Sequence, residues 1–189
     1  MYQEKSESTR TERRIIEQAA HVLAEGRGRT MQEIADISGI GRTTLYRHFR
    51  TREDLIRAIK SQAMEDACAA VVDSRPEEGN AEDAMRRVIA GLISVGDRYR
   101  ILAEEGFSKE EMRHDEKDEL ALELYGLIAR GQRDGSFTSA LSARWILTAM
   151  GNLTMAAIQQ VQAGELARNH AATTVADTLL QGISGSTRD

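Results

Sequence analysis

The chain has 189 residues, 41% of them apolar, which is enough for one sizeable core or two smaller ones that share an interface. A net charge of −5 argues against a general affinity for nucleic acid or membrane, and the single cysteine, Cys68, excludes an internal disulfide and fits a reducing compartment. No apolar run approaches the roughly 20 residues that span a bilayer, and the polar opening MYQEKSESTRTERR has no apolar signal core, so a soluble cytoplasmic protein is expected.

One proline and few aromatics, set against many Ala, Leu, Glu, Arg and Gln, predict an all-α protein of about nine helices. The first helix is expected over 9–25, where Ile15, Ile16, Ala19, Val22 and Leu23 recur at helical spacing. The glycines of EGRGR end it. Thr30 opens a short second helix, and Glu33, three residues on, completes a capping-box pattern. Met31, Ile34, Ala35 and Ile37 supply its apolar positions. Gly39 can take the positive φ of a sharp turn. A third helix is expected at about 41–48, and Thr51 starts a fourth that runs to about Asp73, with Glu53 and Asp54 in its first turn. The polar run DSRPEEGN breaks the chain. Beyond it, helices are expected at about 81–104, 117–133, 142–163 and 168–183, with an acidic stretch at 104–119 and a disordered tail at 185–189.

The basic residues are unevenly placed. Residues 37–60 hold 6 Lys or Arg against 2 Asp or Glu, while residues 61–189 hold 13 against 21. A basic segment on an acidic body points to a local polyanion contact, or to a solvated basic face. The geometry expected over 30–49 favours the first. Ala35 is small where two helices must cross, and Gly39 follows in the turn. Leu45 and Phe49 point inward, leaving Arg42, Thr43, Tyr46 and Arg47 on the opposite face, flanked by Thr44 and His48. That is a helix–turn–helix with a recognition helix for the major groove. Arg pairs bidentately with guanine, and a Thr methyl can touch a thymine methyl. Tyr and His suit phosphate oxygens, which set register without reading sequence. The N-termini of the second and fourth helices, beside Thr30 and Thr51, add N–H groups for phosphates.

The run TMQEIADISGIGRTTLYRHFRTREDLIRAI, 30–59, resembles the DNA-binding domain of TetR-family transcriptional regulators. Tyr46 stands three before Phe49, and Arg52, Glu53, Asp54 and Leu55 open the following helix as in that family. The close match covers about residues 10–60. Two positions depart from the family pattern: Gly41 stands where Ser often caps the recognition helix, and Arg52 where Lys is usual. The resemblance implies a helix–turn–helix domain over 1–55, a linking helix at about 51–73, and a helical ligand-binding and dimerisation domain over 56–184. It implies a homodimeric repressor of a palindromic operator, paired through the last two helices and released by a small molecule. By matching, Thr30, Tyr46, His48 and Arg52 become phosphate contacts, and Arg42, Thr43, Thr44 and Arg47 become base readers.

The helix at 142–163 is apolar on most sides, so it is expected to be buried on most sides. The last helix carries a stripe of Ala172, Val175, Ala176, Leu179, Leu180 and Ile183. Together they suggest a face against a second subunit, with an intramolecular core as the alternative. Polar and aromatic groups within apolar helices mark an effector pocket: Met64, Cys68, Arg98, Tyr99, Tyr125, Trp145, Thr148, Asn152 and Met155. An enzyme is disfavoured, since no nucleophile–base pair or phosphate loop is present and no cofactor is implied. The run RHDEKDE, 113–119, leaves a metal-binding or adaptor protein as the alternative, through His114 and Asp118. An acidic run is usually a solvated face.

Overall fold

The computed structural model describes residues 2–26, 28–99 and 114–184, without the side chains of residues 2–8, 97 and 114–119. Among these it has eight α-helices: α1 (Tyr2–Glu25), α2 (Met31–Ser38), α3 (Arg42–His48), α4 (Arg52–Asp73), α5 (Ala81–Arg98), α6 (His114–Asp134), α7 (Ala143–Ala163) and α8 (Arg168–Ile183). The all-α expectation therefore holds, with eight described helices in place of about nine. The expected continuation of α5 to 104, most of the acidic stretch 104–119 and the tail 185–189 lie outside the described residues.

Local chemistry sets most of the helix starts. At α2 the Thr30 and Glu33 backbone N–H groups each bond the other residue's side chain, at 2.7 Å to Glu33 Oε2 and 3.3 Å to Thr30 Oγ1. Thr51 and Asp54 repeat the arrangement at α4, at 3.2 and 3.0 Å. These bonds hold both carboxyls below their ordinary values: Glu33 chiefly through the Thr30 backbone N–H, Asp54 chiefly through the Thr51 hydroxyl. Ser142 caps α7 by accepting from Trp145 N at 3.2 Å. Gly39 ends α2 at φ 70, the left-handed conformation that a Cβ disfavours. Helix α1 starts earlier than about residue 9. The preceding residues are polar and contain no Gly or Pro, so nothing stops the helix, and no apolar period announces it either.

The described residues fall into two compact units. One is Met1–Met64, joined by Arg98 and Tyr99. Its core is Ile15, Ala19, Leu23, Ile34, Ala35, Leu45, Phe49, Leu55 and Ile59, each at most 4% exposed. The α1 stripe covers α2, and α2 packs on α3. Ile37, expected among the apolar positions of α2, is instead 53% exposed. It sits on the outward side of a two-turn helix whose inner face Met31, Ile34 and Ala35 already fill.

The second unit comprises Glu65–Asp97 and the described residues from 114 onward. Here α7 packs on both α6 and α8. The stripe of α8 is buried within the single chain: Val175, Ala176, Leu179, Leu180 and Ile183 are all at most 6% exposed. Arg86 reaches Asp177 at 2.7 Å, tying α5 to α8. The turn between α4 and α5 is laced by two guanidinium groups. Arg87 donates to the carbonyls of Ser74 (2.8 Å), Arg75 (2.9 Å) and Glu78 (2.7 Å). Arg130, on α6, donates to those of Gly79 and Pro76.

Candidate nucleic-acid interface

Helix α3 is seven residues long and carries no acidic residue in its first turn. Leu45 (0% exposed) and Phe49 (4%) root it in the core. With those two turned inward, Arg42, Thr43, Tyr46 and Arg47 are all exposed on its other side, and Thr44 is half-buried at the edge. Tyr46 is 48% exposed. Gly41 caps α3 at φ −56, a conformation open to any residue, and an added Cβ would meet nothing closer than Thr44 Oγ1 at 3.7 Å. The position therefore does not require glycine, and the helix forms without a side-chain cap.

Three of the expected contacts have neighbours within the chain. His48 is turned inward: its side chain is 10% exposed, Nδ1 lies 4.0 Å from Glu12 Oε2 on α1, and Nε2 is buried without a partner among the described residues. One position past Arg47, the helix has carried the side chain round to the α1 side. That places the imidazole beside Glu12 of α1. Arg42 is exposed but engaged, donating from Nε and Nη2 to Asp36 on α2 at 2.8–3.1 Å. The Asp36 carboxylate holds this guanidinium above its ordinary pKa. Thr30 is exposed, but its hydroxyl donates to Glu33 Oε2 at 2.8 Å and is part of the capping box. Arg52 is half-buried at the start of α4. A groove of about 300 Å³ runs from Thr11, Arg14 and Gln18 on α1 past the turn Ser38–Gly41 to Thr44. Neither Arg14 nor Gln18 is marked by the sequence pattern.

Residues 15–59 match the family model of bacterial regulatory proteins, tetR family. The match spans the buried stripe of α1, the whole helix–turn–helix and the opening of α4. Over that segment the chain is of the tetR type. That is a family of regulators and not of enzymes. A curated tetR-type relative, the HTH-type transcriptional repressor LfrR of Mycolicibacterium smegmatis, is 33% identical over 87 residues. The alignment spans about half of each protein, 46% of this chain and 46% of the repressor. In three dimensions the likeness is longer. The structure of Mycobacterium smegmatis LfrR in complex with proflavine superposes with a TM-score of 0.69 at 22% identity, over 92% of this chain and 97% of LfrR. The tetR-family regulator PfmR of Thermus thermophilus gives 0.71 at 21%, over 88% and 97%. Bacillus subtilis FadR, solved with stearoyl-CoA, gives 0.71 at 17%, over 90% and 98%. At these identities the superpositions speak for the tetR fold.

The residues expected to line an effector pocket differ in how far each is exposed. Trp145 (60% exposed), Thr148 and Asn152 form an outward strip on α7, continued by Ala156. Thr148 and Asn152 bond back along the helix, to the carbonyls of Arg144 (2.9 Å) and Thr148 (2.8 Å). Helix α7 is thus buried on one side only, by Ile146, Met150, Thr154, Ala157 and Ile158. The expectation of burial on most sides is corrected for the single chain. Arg98, one of the candidate pocket residues, is exposed at the end of α5 with its guanidinium 6.0 Å from the ring centre of Tyr99. Tyr99 itself is 1% exposed. Met64, Cys68, Tyr125 and Met155 are half-buried. Thr154 was not among the expected pocket residues, yet its Oγ1 is buried without a partner among the described residues. A threonine within an apolar helix is a weak signal, because most bond their own backbone. His114 and Asp118 have side chains outside the described residues. Among those described, no helix is long and apolar enough to cross a membrane.

Proposed function

We propose that the chain is a cytoplasmic, homodimeric transcriptional repressor that binds a palindromic operator and is released by a small molecule held in its C-terminal unit. The observation that carries the reading is the recognition helix: a polar face of Thr43, Tyr46 and Arg47, with Arg42 at its start, exposed on a helix fixed by Leu45 and Phe49. Tyr46 and Arg52 contact phosphate, while Thr43, Thr44 and Arg47 reach base edges. The exposed strip Trp145–Thr148–Asn152 supports pairing through α7. A single chain leaves this uncharged strip, with the large Trp145 ring, in water, and two-fold association is the commonest way to cover one. Thr154, Met155 and Tyr125 are the first residues to examine for effector contact.

Duplexes enriched from a random pool, followed by footprinting, test the reading. Protection of two half-sites one helical turn apart is expected, about 34–36 Å centre to centre. Tyr46→Ala should weaken all sites about equally and lower the salt dependence. Thr43→Ala should change the preference among sites. LfrR was solved with proflavine and FadR with stearoyl-CoA, so these two compounds open the effector screen. The effector shifts the equilibrium only by its differential affinity for the two states. Retention of DNA by every compound that measurably binds the protein would sink the release mechanism.

A further inference from the structure

Arg42 stands at the start of the recognition helix, yet most of its donors are already committed. Nε and Nη2 each lie 3.1 Å from Asp36 Oδ1, and Nη2 is 2.8 Å from Oδ2. Gln32 adds to this. With the amide orientation that hydrogen bonding selects, its oxygen is 3.1 and 2.9 Å from Nη1 and Nη2. Gln32 and Asp36 are one turn apart on α2, so they form a single acceptor cradle across the turn. A guanidinium has five N–H donors, and this cradle occupies most of them. Arg47, on the same exposed face, has no ion-pair partner among the described residues. The two arginines expected to read bases are therefore not equivalent.

The cradle is also at the surface. The side chains of Arg42 and Asp36 are each 53% exposed, so water and a ligand can compete for the pair. An exposed ion pair of this kind strengthens an equilibrium by only about twofold to fivefold. A bidentate contact to guanine O6 and N7 discriminates by about fivefold to over a hundredfold, so it can displace Asp36. A phosphate can accept the same fork bidentately, but that only exchanges one anionic partner for another and leaves the Asp36 carboxylate unpaired beside the polyanion.

We infer that Asp36 is a specificity-determining positioning residue: it withholds Arg42 from the DNA backbone and yields it only to a base edge that binds both guanidinium nitrogens. At wrong sequences Arg42 stays in the cradle, and the negative charge beside it lowers non-specific affinity. This rests on the DNA-binding reading above and names a residue outside the DNA-facing set.

The test compares the full-length wild type, Asp36→Asn, Arg42→Ala and the double variant on two duplexes of about 30 base pairs, one of random sequence and one enriched by the wild type, across about 50 to 200 mM salt. Asn keeps the shape and removes the charge. Asp36→Asn should bind the random duplex about threefold more tightly, with a salt slope steeper by about 0.9, the value of one added phosphate contact. The enriched duplex should gain less, so the specificity ratio falls. In the Arg42→Ala background the same change should gain nothing, which separates release of Arg42 from the mere loss of a carboxylate. An unchanged random-duplex affinity in Asp36→Asn overturns the inference, and so does a gain that survives in the double variant. Failure of the underlying reading has a different signature, because then the wild type itself enriches no sequence and binds neither duplex.

Discussion

Arg87 offers the sharpest test of what holds the C-terminal unit together. Its guanidinium spans three backbone carbonyls of the α4–α5 turn, at 2.7–2.9 Å. Arg75 lies in that turn at φ 49, a conformation a side chain adopts only at a cost. The three bonds are charge-assisted but partly wet, so a net worth of about 1 kcal/mol each is reasonable. Arg87→Ala should then cost about 3 kcal/mol, less a few tenths for the better helix propensity of alanine. For a chain of this length that lowers the melting temperature by about 6–12 °C. Arg87→Lys should fall between, because an ammonium lacks the fork that reaches three acceptors at once. Arg130→Ala should cost somewhat less, with two carbonyls lost. The double variant should lose less than the sum, since both arginines hold one turn. Thermal unfolding by far-UV circular dichroism, checked by urea denaturation, reads all four. A melting temperature for Arg87→Ala within about 2 °C of wild type would refute the reasoning, because water would then be satisfying those carbonyls equally well.

Three further outcomes are expected. Glu33 and Asp54 have lowered pKa values in the folded protein, so each stabilises above its unfolded value and loses that contribution as pH falls through the folded one. Glu33→Gln/Asp54→Asn should therefore melt below wild type at neutral pH, with the two converging below about pH 4; a constant gap down to about pH 2 would contradict the capping role. Gly131→Ala puts a Cβ 2.3 Å from the ring of Phe137, which is 1% exposed, and should cost about 1–3 kcal/mol in denaturant titrations. A cost under about 0.5 kcal/mol would mean the Phe137 segment yields. Thr154→Val removes a buried hydroxyl that has no partner among the described residues and should gain about 1 kcal/mol. A loss of stability there would reveal a partner for the hydroxyl.

The helix–turn–helix was legible because its signals are local. T-x-x-E and T-x-x-D fix the starts of α2 and α4 within four residues, Gly39 fixes the end of α2, and Leu45 with Phe49 fixes which side of α3 faces in. The same periodicity located α4, α7 and α8 to within one or two residues. It could not locate the start of α1, where every residue is polar.

What the sequence alone determined, then, is the set of helices, their caps and the polar face of α3, because each depends on residues no more than four apart. The tertiary structure decided the rest. Asp36 and Arg42 meet only because the turn folds α3 back beside α2. His48 meets Glu12 only because α1 lies across the end of α3. Arg130 finds the turn at 76–79 from more than fifty positions away. Whether Trp145, Thr148 and Asn152 line a cavity or an outer face depends on which side of α7 the neighbouring helices cover. The pattern of α7 is apolar on most sides and cannot choose. Contacts between residues distant in sequence leave no periodic trace, so they became visible only once the helices were packed.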